Sequence, residues 1–189
     1  MSSDNPDRVM LDIETLGTEP GAALLSVAAV EFRPTAFDGD DAILDTVHQS
    51  VSITSCQDVG LHIDAETLEW WMGQGYARRQ LTGGLNVDAV LANLAAFIDE
   101  RGDDCEIWAN SPAFDCQMLA HAYDVVGSDN LPWDYWQTRD VRTLKALPQW
   151  PDDLEREGVE HDALDDAKYQ ARATARTLAQ IQEVSDDAE

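Results

Sequence analysis

The 189-residue chain is predicted to fold as one α/β domain, a mixed β-sheet flanked by helices. Three observations predict it. Residues 8–53 hold three apolar segments that read as strands, close enough in sequence to pair as an antiparallel meander. From residue 64 the apolar period becomes that of helices. A short segment at 106–109 then interrupts the helices and reads as a strand joining the sheet in parallel through a crossover.

Val9, Leu11 and Ile13 alternate with Met10, Asp12 and Glu14, which defines the first strand. The turn at 18–21 carries Pro20 and Gly21, and the apolar run 23–32 follows as the second strand. Residues 34–41 form the next turn, and 43–53 the third strand. Asp64 suits the N-cap of a helix carrying Leu68, Trp71 and Met72. Residues 86–101 make a second helix, with Val87, Val90, Leu91, Leu94 and Ile98 on one stripe and Gly102 as its stop. After the 106–109 strand, Ser111 and Pro112 are expected to open a helix reaching Val126. An aromatic loop at 130–137 leads to a short helix at 138–147, then a loop to Gly158 and a last helix over 162–184. No repeat or linker divides the chain, so residues 1–189 are read as one domain with its core at about 8–180 and an acidic tail at 185–189.

Composition bounds the function. Hydrophobic residues make up 44% of the chain, enough for a packed core, which excludes intrinsic disorder despite a net charge of −25. The longest nearly unbroken apolar stretch, residues 22–30, is too short for a membrane span of about 20 residues. With no basic or apolar leader at residues 1–10, a cytoplasmic location is expected. Three cysteines without a CxxC pair read as reduced core thiols. The acids are 25 Asp and 12 Glu, and only two of twelve bases are lysine, a surface suited to concentrated salt. This predicts a halophilic host or its virus. The same charge speaks against the basic footprint usual in nucleic-acid binding.

Three segments carry chemistry. Asp12 and Glu14 stand one residue apart on a strand, so both carboxylates point to one face and can meet one divalent cation. Asp115 ends the run Asn110 to Asp115, which follows a strand and opens a helix. His161 precedes small and apolar residues and a pair of acids, Asp165 and Asp166, at the start of the last helix. Spacing alone does not choose between those two aspartates.

In this order and with these gaps, the three segments resemble the exonuclease motifs of the DEDDh 3′–5′ exonucleases. That superfamily includes ribonuclease T, oligoribonuclease and the proofreading subunit of bacterial replicative polymerase. The third segment, of form H-x-A-x-x-D-A, is the most specific. The helix at 63–71 and the segment 139–144 are similar to phage DexA-type exonucleases and the mycobacterial exoribonuclease group near them. The resemblance implies a ribonuclease-H-like fold with four carboxylates, Asp12, Glu14, Asp115 and Asp166, and His161 as base. It selects Asp166 because the family spacing is histidine plus five. It implies two divalent cations, Mg²⁺ or Mn²⁺, clamping the scissile phosphate of a single-stranded nucleic acid at its 3′ end and releasing nucleoside 5′-monophosphates. His161 would take the proton of the attacking water. DNA or RNA stays open, and relatives are often dimers, which adds a homodimer to the expectations.

Substrate contacts are expected from Thr15, Leu16, Asn110, Arg139 and Arg142, with Leu16 against the terminal base. Arg78 and Arg79 are further phosphate candidates. All six tryptophans, Trp70, Trp71, Trp108, Trp133, Trp136 and Trp150, are stacking candidates, but most are read as core, Trp108 and one of Trp70 and Trp71 first among them. The alternative function is a non-catalytic acidic protein that mimics nucleic acid, favoured by the charge but without need of His161 or the ordered carboxylates.

Overall fold

A computed structural model describes residues 7–35, 40–75, 81–128 and 131–186. Five strands form one sheet in the order β3-β2-β1-β4-β5. The first three, β1 (Arg8–Thr15), β2 (Leu24–Phe32) and β3 (Ile43–Ser50), pair antiparallel as a meander. β4 (Glu106–Ala109) and β5 (Thr138–Asp140) add to the other edge of β1 in parallel. The helices are α1 (Ile53–Asp58), α2 (Ala65–Gly73), α3 (Val87–Asp99), α4 (Asp115–Val125), α5 (Val141–Lys145) and α6 (Ala163–Asp186). This is the mixed, helix-flanked sheet the sequence predicts.

Alternation along β1 builds two cores. Val9, Leu11 and Ile13 pack on one face with Trp71 of α2, the apolar stripe of α3, and Met118 and Leu119 of α4. Met10 faces the other way, with Val30, Phe32 and Trp108, against Ala163, Ala167, Ala171 and Ala175 of α6. Those alanines recur every four residues, so they line one side of the helix and let its backbone lie close on the sheet. That close approach carries the N-terminus of α6 to the end of β1, where Asp12 and Glu14 sit.

Four local expectations are corrected. The third strand ends at Ser50, not Ile53, because Ser52 Oγ accepts from Ser55 N (3.4 Å) and opens α1. Pro112 does not start a helix: Ser111 O accepts from both Phe114 N (2.7 Å) and Asp115 N (3.0 Å), closing a turn before α4 begins at Asp115. Of the expected helix at 138–147, the first three residues are β5, and α5 starts only where Asp140 accepts from Arg142 N (2.9 Å). Met72 of α2 points to solvent while Trp71 is buried.

Candidate active site

Asp12 and Glu14 leave the C-terminal half of β1 on the α6 side of the sheet. Their β2 neighbours are Ala28 and Ser26, small residues that leave room for two carboxylates. Asp12 is buried, and its Oδ1 accepts from Gln170 Nε2 of α6 at 2.8 Å. Asp115, the first residue of α4, is 5% exposed and accepts a long bond from Ser111 N (3.4 Å). His161 is the one non-glycine among the described residues with a left-handed backbone (φ 63°). Such a conformation is uncommon for a residue with a Cβ, and here it turns the His161 amide towards Asp166 Oδ2 (3.3 Å).

Glu14, His161 and Asp166 each offer a ligand atom within 4.8 Å of the others. Asp12 and Asp115 lie behind them and feel the same field. Burial lifts Asp12 well above the usual carboxylate range, and the charges of Asp115, Glu14 and Asp166 add to the lift while Gln170 opposes it. Glu14 is pushed up to about 8, first by burial and then by Asp166, Asp162 and Asp115. Burial raises Asp115 to about 6 against backbone N–H groups and the charge of Arg142. Asp166 is raised by burial against the pull of Arg156, with which it forms an ion pair. Four carboxyls that all hold their protons too tightly are a cluster short of positive charge. An oxygen-only carboxylate set with a neighbouring imidazole fits a hard divalent cation. Gln170 Oε1, buried without a hydrogen-bond partner among the described residues, marks the same polar interior.

A cavity of about 560 Å³ opens beside the cluster, lined by Glu14, Thr15, Trp70, Trp71, Phe114 and His161 among others. Trp70 stands edge-to-face on His161, with ring centroids 4.9 Å apart at 88°. Trp71 is buried beneath and donates from Nε1 to Thr15 O (2.9 Å), tying α2 to the end of β1.

The structure therefore brings together the five residues expected to do the chemistry, and it revises the substrate contacts. Leu16 is completely buried in the main core, so it presents no surface to a base; the exposed aromatic beside the site is Trp70. Thr15 is buried, and its hydroxyl donates to Gly17 O (2.6 Å). Arg139 directs its guanidinium to Glu106 (3.1 Å) at the start of β4, away from the carboxylates. Asn110 Oδ1 accepts from Lys145 Nζ (2.8 Å), and Arg142 is exposed near Asp115. Arg78 and Arg79 lie outside the described residues. Gln170, Lys145 and Arg156 were not singled out by the sequence. Only Gln170 carried a signal, since it stands one helical turn after Asp166.

The model of the 3′-5′ exoribonuclease Rv2179c-like domain matches residues 7–178. The chain belongs to this family. It is by that family a 3′–5′ exonuclease, and its fold is the ribonuclease-H-like one expected from its motifs. Among solved structures, the nuclease domain of 3'hExo, a DEDDh family member bound to rAMP, is similar with a TM-score of 0.65 at 14% identity, over 95% of each chain. E. coli exonuclease I in complex with a 5cy-dA13 oligonucleotide gives a TM-score of 0.62 at 13% identity, over 93% of this chain and 41% of that one. The zinc-bound form of the E. coli exonuclease I–ssDNA complex gives 0.59 at 14% identity, over 95% of this chain and 41% of the other. At such identities these likenesses concern the fold. No curated protein matches the chain. No described helix is long and apolar enough to cross a membrane.

Proposed function

We propose that this exonuclease hydrolyses single-stranded nucleic acid, RNA before DNA, from its 3′ end to nucleoside 5′-monophosphates, using two divalent cations, Mg²⁺ or Mn²⁺. The observation that carries the reading is the meeting of Glu14, His161 and Asp166 within 4.8 Å, backed by buried Asp12 and Asp115. The family's description as an exoribonuclease favours RNA.

Asp12, Glu14, Asp115 and Asp166 would hold the cations. When bound, these supply charge neutralisation at the phosphate and acidify water. The chain's own residues do the rest. The cavity between Trp70 and Phe114 takes the 3′-terminal nucleoside, which places the last linkage at the carboxylates. His161 accepts the proton of the attacking water as its oxygen bonds to phosphorus. The bond from phosphorus to the 3′ oxygen of the penultimate nucleotide breaks, that oxygen takes a proton from solvent water, and His161 returns its own proton to the hydroxide so formed. Trp70, edge-on to the imidazole, limits where the ring can turn.

The acidic-mimic alternative asks for carboxylates spread over the surface at phosphate spacing. Here they converge inward and are largely buried, which favours the enzyme. Matched 5′-labelled RNA and DNA oligonucleotides, digested with Mg²⁺ or Mn²⁺ and with EDTA, test the proposal. A ladder shortening from the 3′ end, with 5′-monophosphates released only when metal is present, is the expected result. Internal cuts, or equal digestion in EDTA, would overturn it.

A further inference from the structure

Arg156 sits in a loop with four exposed acids, Asp152, Asp153, Glu155 and Glu157, yet its guanidinium reaches a carboxylate of the active site. Nη2 donates to Asp166 Oδ1, while Asp166 Oδ2 accepts from His161 N at 3.3 Å. The same guanidinium lies 5.2 Å from the centre of the Tyr169 ring. The rest of the loop is tied to the same helix: Asp153 meets Arg176 (3.1 Å) and Glu157 meets Arg172 (2.8 Å). Residues 169, 172 and 176 follow Asp166 at steps of three, three and four, so all four share one face of α6. Residues 153–157 therefore form a strap along that face, and Arg156 is its link to the carboxylates.

Asp166 also closes on Glu14 and His161, each offering a ligand atom within 4.8 Å of the others. The backbone N–H on Oδ2 is neutral and can stay when a divalent cation binds there. The guanidinium carries a full positive charge, and beside such an ion in a largely buried cluster it is strongly repelled. We propose that Arg156 is a built-in competitor of the cation at Asp166, neutralising that carboxylate in the metal-free protein and withdrawing to the Tyr169 ring as the cation binds. The ion pairs of Asp153 and Glu157 keep the strap on α6, so the arginine side chain swings while the loop stays. Arg156 thereby sets the metal affinity of the site below what its carboxylates alone would give. This inference rests on the reading above, because it needs Asp166 to be a cation ligand.

Two measurements on the full chain test it. Free Mn²⁺, counted by its electron paramagnetic resonance signal, gives Kd for wild type, Arg156→Gln, Asp166→Asn and Arg176→Gln, each checked for a cooperative melting curve. Arg176→Gln breaks the strap at its far end and leaves the Arg156 pair alone. In ¹⁵N-labelled protein the arginine Nε–Hε resonances are followed as Mg²⁺ is added. Arg156 is assigned by its loss from Arg156→Lys, which keeps the charge, so this readout on wild type stands even if Arg156→Gln fails to fold.

Arg156→Gln should bind Mn²⁺ about five- to tenfold more tightly, the size of one hydrogen bond between charged groups at a partly exposed site. Arg176→Gln should stay within about twofold of wild type. Saturating Mg²⁺ should move the wild-type Arg156 resonance to its position in Asp166→Asn, where the pair is already gone, and leave that of Arg176 in place. An Arg156→Gln affinity within about twofold of wild type, or an Arg156 resonance unmoved by Mg²⁺, would overturn the competition. Failure of the underlying reading looks different, since Asp166→Asn would then bind Mn²⁺ as tightly as wild type. A weakened Asp166→Asn beside an indifferent Arg156→Gln sinks the competition and leaves Asp166 as a ligand.

Discussion

Gln170 Nε2 donates to Asp12 Oδ1 at 2.8 Å, linking the last helix to the central strand across 158 positions of sequence. Gln170 stands four residues after Asp166, so one face of α6 supplies both a carboxylate of the site and the group that orients another. The amide has a further effect. As the side-chain donor to a carboxylate otherwise pressed by three acids, it favours the ionised form that a cation requires.

Gln170→Leu should therefore keep the fold and lower nuclease activity about 10- to 100-fold, the usual cost of removing a group that orients a metal ligand. The loss should shrink as Mg²⁺ is raised, because Asp12 is misdirected rather than absent. A variant with the wild-type rate at limiting Mg²⁺ would remove Gln170 from the site.

Asp165 and Asp166 were inseparable by spacing, and the structure shows why their roles differ. Asp165 Oδ2 accepts from Val159 N (2.8 Å) and lies against Gly158, holding the loop before α6. Asp166 turns to Glu14 and His161. Asp166→Asn should lose at least about a hundredfold in rate, more than 2.7 kcal/mol of barrier, while Asp165→Asn stays within about threefold. The reverse order in a steady-state assay would show that the third motif is misaligned.

The parts legible in the sequence are those where a period carries the information. Strand alternation put Asp12 and Glu14 on one face, and the order of the three acidic segments put Asp115 and Asp166 with them. Thr138–Asp140 shows no such alternation. It is a strand because β4 offers it hydrogen-bond partners, a tertiary cause that three polar residues cannot advertise. The burial of Leu16 is of the same kind: its backbone bonds Ala23 and Asp64 pull the turn after β1 inward, between segments far apart in the chain. Lys145 and Arg156 reach the site from a five-residue helix and an irregular loop, where no periodicity exists to be read.

His161→Ala should reduce the rate about 10²- to 10⁴-fold near neutral pH, the range for a positioned general base. Recovery towards pH 9 is expected as hydroxide replaces the lost acceptor. The imidazole would have no part in proton transfer if rates of variant and wild type ran in parallel from pH 6 to 9.

The carboxylate cluster sets a pH dependence of stability. Asp115 is raised to about 6 and Glu14 to about 8, with Asp12 and Asp166 raised as well. A carboxyl raised on folding binds its proton more tightly in the native state than in the unfolded chain. Its contribution is therefore fully present below the ordinary carboxylate range, about pH 4, and is lost as pH rises through the folded value. The metal-free protein should melt progressively lower from pH 4 to about 8. Glu14→Gln should flatten the upper part of that fall, and Mg²⁺ at pH 8 should restore the melting temperature by binding the ionised cluster. Melting curves in EDTA that are identical for Glu14→Gln and wild type across this range would contradict the raised Glu14 carboxyl.

Salt should stabilise the fold while weakening substrate binding only modestly. The 37 acids repel one another against only 12 bases. Several of those bases are already engaged: Arg101 alone meets Glu31, Asp45 and Glu100. Repulsion among the remaining acids reaches about 10 Å at 0.1 M salt and about 3 Å at 1 M, so KCl weakens it steeply. Short ion pairs such as Arg101–Glu31 (2.7 Å) lie inside even the shorter length and lose less. The melting temperature should rise with KCl into the molar range. An enzyme gripping many phosphates would lose affinity over the same range by counterion release. Among the described residues three cations, Arg142, Lys145 and Arg156, lie near the site; if each met one phosphate, the logarithm of KM would rise against that of salt with a slope of roughly 2, using about 0.7 per contact for a single strand. Melting curves and initial rates from 0.05 to 3 M KCl at fixed Mg²⁺ check both statements. A melting temperature that is flat or falling, with KM rising far more steeply than this slope, would show that self-repulsion does not limit this fold and that its grip on the strand is wider than the active-site edge.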